Sequence, residues 1–332
     1  MREIADRTPS DQLADVYGTG EAIATLEGRV AKLLGKEAAV FMPSGTMAQQ
    51  IALRVHAERT KNRIVAFHPT CHLEIHEQNG YRLLHGLSSV HLGTATRIPS
   101  LDDVTGLSED VGTLLLELPQ REIGGVLPSW NELVAQTEAA RERGMRVHLD
   151  GARLWESQPH FDCSYAEIAA QFDSVYVSFY KTLGALTGAM VLGSAEFCAE
   201  ARVWLRRHGG NLYMLAPYVL SATYALDDRL PRIPAYVARA KTLAATFAAI
   251  PGIEVVPNPP QAHMFHVLLE GDADILVARA LAAAEETGIW SFETLRPTIH
   301  PRLHTWEVSV GDATLALADA QVTRLLSALL RR

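Results

Sequence analysis

Apolar positions along this chain follow two spacings. From Glu21 to Gly35, Ile23, Leu26, Val30 and Leu33 recur at helical intervals and a glycine ends the run, which predicts an amphipathic helix. Ala38 to Met42 is a short apolar run with the length of a strand. The turn residues Pro43-Ser44-Gly45-Thr46 follow, then a second helical stretch from Met47 to Glu58. Further strand-like runs lie at Ile64 to Phe67, Thr113 to Leu118, Arg146 to Asp150, Ser174 to Ser178 and Ala189 to Leu192. Several are apolar throughout, as strands covered on both faces must be. Helical segments such as Asn131 to Arg143 separate some of them. Strand alternating with helix predicts an α/β fold: a mostly parallel sheet with helices on both faces.

The pattern changes after about residue 245. Prolines 251, 257, 259 and 260 surround a strand from Ile253 to Val256, and shorter strands (His263 to Leu269, Thr305 to Val310) sit among helices from Ala273 to Thr287 and Asp319 to Leu330. This predicts a smaller C-terminal α+β domain. Residues 15–245 are expected to form the large domain, with 1–14 and 246–332 in the small one. At 332 residues the chain is long enough for two cores.

Composition narrows the function classes. A formal net charge of −8 argues against nucleic acid as a partner, since a phosphate backbone calls for a basic face. No apolar run is long enough to span a bilayer, and the N-terminus lacks the apolar core of a signal peptide. The three cysteines are odd in number and widely spaced, which fits a reducing cytoplasm better than a disulfide framework.

Two strand ends carry ionisable residues. Asp150 follows Val147-His148-Leu149 and precedes Gly151; Lys181 follows the strand ending at Ser178 and precedes Leu183-Gly184-Ala185. At the carboxyl end of parallel strands both would face the crevice where open α/β sheets bind ligands. An aspartate that holds a pyridinium and a lysine that forms an imine are what pyridoxal 5'-phosphate (PLP) requires. Each also has a plainer reading: an Asp-Gly turn and a lysine at a helix end. Ser44-Gly45-Thr46, between a strand and a helix start, suits a phosphate, although Ser44 alone reads first as a helix cap. Ser178 is a further phosphate candidate. Its Ser-x-x-Lys spacing to Lys181 also occurs in serine β-lactamases, but their Ser-Asp-Asn and Lys-Thr-Gly partners are missing. A rival cluster, His68, Cys71, His72, His76 and Glu77, has i, i+4 histidines but no His-Glu-x-x-His, so no metal is expected there. A ring stacked on a cofactor is the better use of His72. Neither the dinucleotide nor the P-loop glycine pattern is present.

Together these segments resemble the threonine aldolase, or β-eliminating lyase, family of fold-type I PLP enzymes. The resemblance runs from about Asp15-Val16-Tyr17-Gly18 into the mid-200s. It is clearest in Leu26-Glu27-x-Arg29-Val30-Ala31-x-Leu33-Leu34-Gly35, Phe41-Met42-Pro43-Ser44-Gly45-Thr46-Met47-Ala48 and His148-Leu149-Asp150-Gly151-Ala152-Arg153-Leu154. It implies a phosphate cup at Ser44, Gly45 and Thr46, a ring stacked on His72, and Asp150 at the pyridine nitrogen. It further implies that Arg153 holds the substrate carboxylate, that Lys181 carries the cofactor, and that Arg206 approaches a neighbouring subunit's cofactor. A dimer or tetramer with active sites at the subunit interface is implied as well.

Three departures stand out. Phe179 and Tyr180 intervene between Ser178 and Lys181, where the family has its lysine directly after a serine. Gln120 takes the place of a histidine near the substrate. The family's second carboxylate-binding arginine has no clear match, and Arg302 is the candidate; Tyr213 also replaces a usual arginine. The expected activity is cleavage of L-β-hydroxy-α-amino acids to glycine and an aldehyde, with His72 or a water it orients as base. The alternative within PLP chemistry is β-elimination to a keto acid and ammonia. A catalytically silent PLP-fold binding module and a metal hydrolase on His68, His72 and His76 are the readings from other classes.

Overall fold

A computed structural model describes residues 15–329 together with residues 4, 6 and 8; the expected membership of residues 1–14 in the small domain falls largely outside these. Two compact units emerge. One comprises the segment ending at Glu122 and Leu127–Pro231; the other comprises Ile123–Val126 and the chain from Arg232 onward.

The first unit is built on a seven-stranded sheet. Its strands are β1 (Ala38–Met42), β2 (Ile64–Phe67), β3 (Ser88–His91), β4 (Thr113–Glu117), β5 (Arg146–Gly151), β6 (Ser174–Ser178) and β7 (Ala189–Gly193), in spatial order β1-β7-β6-β5-β4-β2-β3. The pairs β3–β2–β4–β5–β6 are parallel, whereas β7 runs antiparallel to both neighbours. The short link from Phe179 to Gly188 holds no helix, and only a helical crossover would have returned β7 in the parallel sense. All residues of β6 and β7 are buried, which explains why neither shows alternation in sequence. β3 is an edge strand, Ser-Ser-Val-His, with no buried position, and its single apolar residue, Val90, is too little to mark a strand in sequence.

Helices cover the sheet: α1 (Glu21–Leu33), α2 (Gly45–Thr60), α3 (Trp130–Glu142), α4 (Ala195–Arg207) and α5 (Ala216–Arg229). α1 buries Ile23, Leu26 and Val30 as its spacing predicts, and Glu27 on the same face accepts a hydrogen bond from the Phe41 N–H at 2.8 Å. In the second unit, β8 (Ile253–Val256), β9 (Met264–Glu270), β10 (Arg296–Pro297) and β11 (Leu303–Ser309) form an antiparallel sheet in the order β10-β11-β9-β8. α6 (Ile233–Ala248), α7 (Ala273–Thr287) and α8 (Asp319–Leu329) accompany it. The expected boundary near residue 245 would place most of α6 in the first unit; in the structure α6 packs on β8 and β9.

A buried polar chain ties α2 to the sheet. His56 Nε2 lies 2.6 Å from Ser174 Oγ, which lies 2.6 Å from His148 Nδ1, while His148 Nε2 lies 2.7 Å from Gln49 Oε1. Ser174 has one proton to give. The consistent arrangement is therefore His56 Nε2–H donating to Ser174, Ser174 to His148 Nδ1, and His148 Nε2–H to Gln49, with both rings neutral. Burial pushes His56 down to about 3 and His148 well below its ordinary value. In the unfolded chain both take a proton near pH 6.5. Stability is thus expected to fall as pH drops from about 6.5 toward 3, by up to about 1.4 kcal/mol per pH unit for each ring. Urea midpoints at pH 7, 6 and 5 measure this. His56→Gln should flatten the slope, and an unchanged slope in that variant would contradict the account.

Candidate active site

The parallel strands end at one edge of the sheet, and the chemistry-bearing side chains collect there. Asp150, the penultimate residue of β5, is buried and accepts a hydrogen bond from the Ala152 N–H at 3.1 Å. Burial raises its proton affinity, while Lys181 and then His72 oppose that rise. Its register partner on β4 is Glu117, a second carboxylate at the same level. Glu117 accepts from Gln120 Nε2 at 3.0 Å and from the Arg121 N–H at 3.2 Å. Burial, then the charge of Asp150, pushes it up to about 7.

Lys181 is the third residue of the link between β6 and β7. The Gly184 N–H returns to the Lys181 carbonyl at 2.9 Å, closing a tight turn. Gly184 has φ +74°, a backbone conformation that favours glycine. Burial lowers the Lys181 proton affinity, and the Arg153 charge lowers it further. Arg153, half-buried between β5 and the short helix Leu154–Phe161, has no carboxylate within 4.0 Å of its guanidinium among the described residues. Among the described residues it makes no direct ion pair, although its charge is felt by Glu117, and its guanidinium is available to an anionic ligand.

At the start of α2, Ser44 is the N-cap: its Oγ accepts from the Met47 N–H at 3.3 Å. Its own proton remains to be given outward, so the capping and phosphate readings are compatible. The N–H groups of Gly45 and Thr46 have no acceptor among the described residues. Gly45 is closely cradled, since a Cβ there would lie 2.1 Å from Tyr176 Oη. The helix therefore presents free N–H groups and bare backbone, which suits an anion.

His72 Nδ1 lies 3.0 Å from Glu77 Oε1, and Glu77, buried, also accepts from Gln50 Nε2 at 3.0 Å. With Nδ1 committed to the carboxylate, Nε2 is left as the reactive nitrogen. The histidine cluster is not shared. His76 Nε2 faces Glu122 at 3.0 Å; His68 bonds Thr70 through Nδ1 and the Arg97 carbonyl through Nε2. Among the described residues no three His, Cys, Asp or Glu side chains are grouped to hold a metal.

Other expected residues fall differently. Ser178 is buried and gives its one hydroxyl proton to the Ala152 carbonyl at 2.7 Å, so it has none for a phosphate. Gln120 is buried, locked onto Glu117 and 3.4 Å from Thr70 Oγ1. Arg206 is exposed, its guanidinium 5.7 Å from the Tyr17 ring centre. Arg302 belongs to the second unit, where it is exposed and 3.6 Å from Glu270. Sequence reasoning missed Glu117 as a site carboxylate and considered Glu77 only as a metal ligand. The signal for Glu117 was its place as the one charge in the otherwise apolar run Thr113–Leu118.

A carboxyl raised by burial is penalised when ionised. For Glu117 the penalty is absent below about pH 4.5, grows as pH rises toward 7, and is constant above that. Glu117→Gln is therefore expected to stabilise the cofactor-free protein at pH 8 by on the order of 1–3 kcal/mol, and hardly at pH 4.5. Melting curves at the two pH values test this; equal shifts would refute it.

The beta-eliminating lyase family profile matches residues 5–270. The solved structure of a candidate L-allo-threonine aldolase from Listeria monocytogenes superposes with a TM-score of 0.96 at 44% identity, covering 99% of this chain and 91% of that one. Low-specificity L-threonine aldolase 1 of Arabidopsis thaliana is 27% identical over 325 residues, 93% of this chain and 89% of its own. The low specificity L-threonine aldolase of Escherichia coli (strain K12) is 31% identical over 226 residues, 66% of this chain and 67% of its own.

Proposed function

We propose, from the premise that this chain belongs to the beta-eliminating lyase family, that it is a PLP-dependent aldolase cleaving L-β-hydroxy-α-amino acids of the threonine, allo-threonine and phenylserine type to glycine and an aldehyde. The observation that carries the reading is the convergence of Asp150, Lys181 and the unpaired Arg153 at adjoining strand ends. The residues fit the cofactor. The Gly45 and Thr46 N–H groups and the Ser44 hydroxyl suit its phosphate, Asp150 its ring nitrogen, and the Lys181 amine its carbonyl. When bound, PLP supplies an electrophilic carbonyl and a ring that takes up the electrons released at the substrate Cα.

The chain's own residues do the rest. Arg153 binds the substrate carboxylate and so fixes the Cα–Cβ bond relative to the ring. The lowered proton affinity of Lys181 keeps a larger fraction of its side chain as the neutral amine that can attack a carbonyl. His72, oriented by Glu77, accepts the β-hydroxyl proton at Nε2 as the Cα–Cβ bond breaks and the aldehyde leaves. Gln120, an amide, cannot take that proton. Asp150 would hold the proton on the ring nitrogen when the cofactor is bound.

The names of the relatives support the substrate class. The purified chain should convert threonine, allo-threonine or phenylserine to glycine and aldehyde in equal amounts. Ammonia and a keto acid as the dominant products would instead favour β-elimination.

A homo-oligomer, dimer or tetramer, is part of the proposal. Tyr17, Tyr213 and Met214 leave 49%, 62% and 45% of their surfaces exposed side by side with Arg206, which supports a second copy there. Light scattering on the purified chain measures the assembly. A cytoplasmic setting is supported by the three free cysteines.

A further inference from the structure

Two tyrosine hydroxyls that the reading above leaves unused converge on the first turn of α2. A Cβ on Gly45 would lie 2.1 Å from Tyr176 Oη and 2.8 Å from Tyr180 Oη, so both hydroxyls stand beside the helix start whose N–H groups are free. The two oxygens are 3.5 Å apart. Tyr176 is buried on β6, and among the described residues its hydroxyl has no partner except Tyr180. A buried hydroxyl seeks an acceptor within reach, and we assign the Tyr176 proton to Tyr180 Oη, the partner it has among the described residues. The Tyr180 proton is then directed elsewhere. Tyr180 is 37% exposed and immediately precedes Lys181. Burial raises both phenols above their ordinary range, so both stay neutral donors that do not repel an anion.

We infer that Tyr180, backed by Tyr176, donates a hydrogen bond to the phosphate of the cofactor and completes the cup begun by Ser44, Gly45 and Thr46. The inference rests on the PLP reading. It gives Tyr180 the task that Ser178 cannot perform, because the Ser178 proton is spent on Ala152. The pair Tyr176–Tyr180 works in series. The first hydroxyl fixes which way the second points, and the second holds the ligand.

The experiment compares two probes that differ only in the phosphate, PLP and pyridoxal. Each is titrated into the cofactor-free protein and followed by the visible absorbance of the bound form. For Tyr180→Phe, PLP binding should weaken about 10- to 100-fold, as expected for loss of a hydrogen bond to a charged acceptor, while pyridoxal binding stays within about twofold. Tyr176→Phe should cost PLP affinity less, about threefold, because it frees the Tyr180 hydroxyl to rotate without deleting it. Melting temperatures of the cofactor-free variants check that both fold. PLP binding by Tyr180→Phe equal to wild type would overturn the inference. So would equal losses for PLP and pyridoxal, since the ring would then be acting by packing around Lys181. Failure of the wild-type protein to bind PLP at all would instead sink the functional reading beneath it.

Discussion

Lys181→Ala should give a folded chain that binds PLP without a covalent link and turns over β-hydroxy amino acids slower by on the order of 10⁴-fold or more. The size of the effect follows from the lack of a substitute amine. Lys181 sits in a tight turn held by the Gly184 N–H on its backbone carbonyl, a bond that alanine retains. The fold therefore survives, and removing an ammonium that burial already disfavours costs little stability. Borohydride reduction followed by peptide mapping should place the pyridoxyl mass on Lys181 in the wild-type protein and nowhere in the variant. Wild-type turnover by Lys181→Ala, or a pyridoxyl mass on another residue, would end the assignment.

Asp150→Asn should keep the cofactor and lose activity by about 10²- to 10³-fold, the range expected when one preorganised charge is removed from a dry site. The amide has the same shape and still accepts from the Ala152 N–H, so the strand end is undisturbed. What disappears is the charge proposed to keep the ring nitrogen protonated. The same change should move stability the other way. Burial makes an ionised Asp150 costly in the cofactor-free protein, and its charge helps push Glu117 up to about 7. Neutralising position 150 relieves both, so the cofactor-free variant should melt higher than wild type near pH 8. A loss of rate with a gain of stability marks a residue kept for chemistry. Near-normal turnover with the cofactor fully loaded would contradict this role, and a lower melting temperature would contradict the electrostatic account.

Parts of the site were legible one segment at a time because the physics there is local. The run Val147-His148-Leu149 before Asp150 is short and lacks alternation, as suits a strand covered on both faces, and it forms β5 with its single polar ring paired to Ser174 and Gln49. Ser44 caps α2 because a hydroxyl before a helix accepts from the third N–H within a few residues of chain. The helical spacing of Ile23, Leu26 and Val30 likewise decides which face of α1 is buried.

Other features depend on atoms far apart in sequence. Glu117 is a site carboxylate only because β4 pairs with β5 in a register that sets it beside Asp150. Glu77 orients His72 because a short turn brings it back onto the ring and Gln50 of α2 holds it there. Ser178 was a plausible phosphate ligand in sequence. Its strand delivers the hydroxyl to the Ala152 carbonyl instead, and the nearby donor role passes to tyrosines whose hydroxyls meet α2 only after folding.

The sequence by itself thus determined most of the large-domain strands, the alternating architecture, and the placement of the candidate pair Asp150 and Lys181 at strand ends, since hydrophobic spacing, caps and strand-end residues act over a few positions. Only the tertiary structure decided which way β7 runs, which carboxylates neighbour each other, and which hydroxyl still has a proton to give. Those depend on strand order and register, where each donor and acceptor finds its partner across the sheet rather than along the chain.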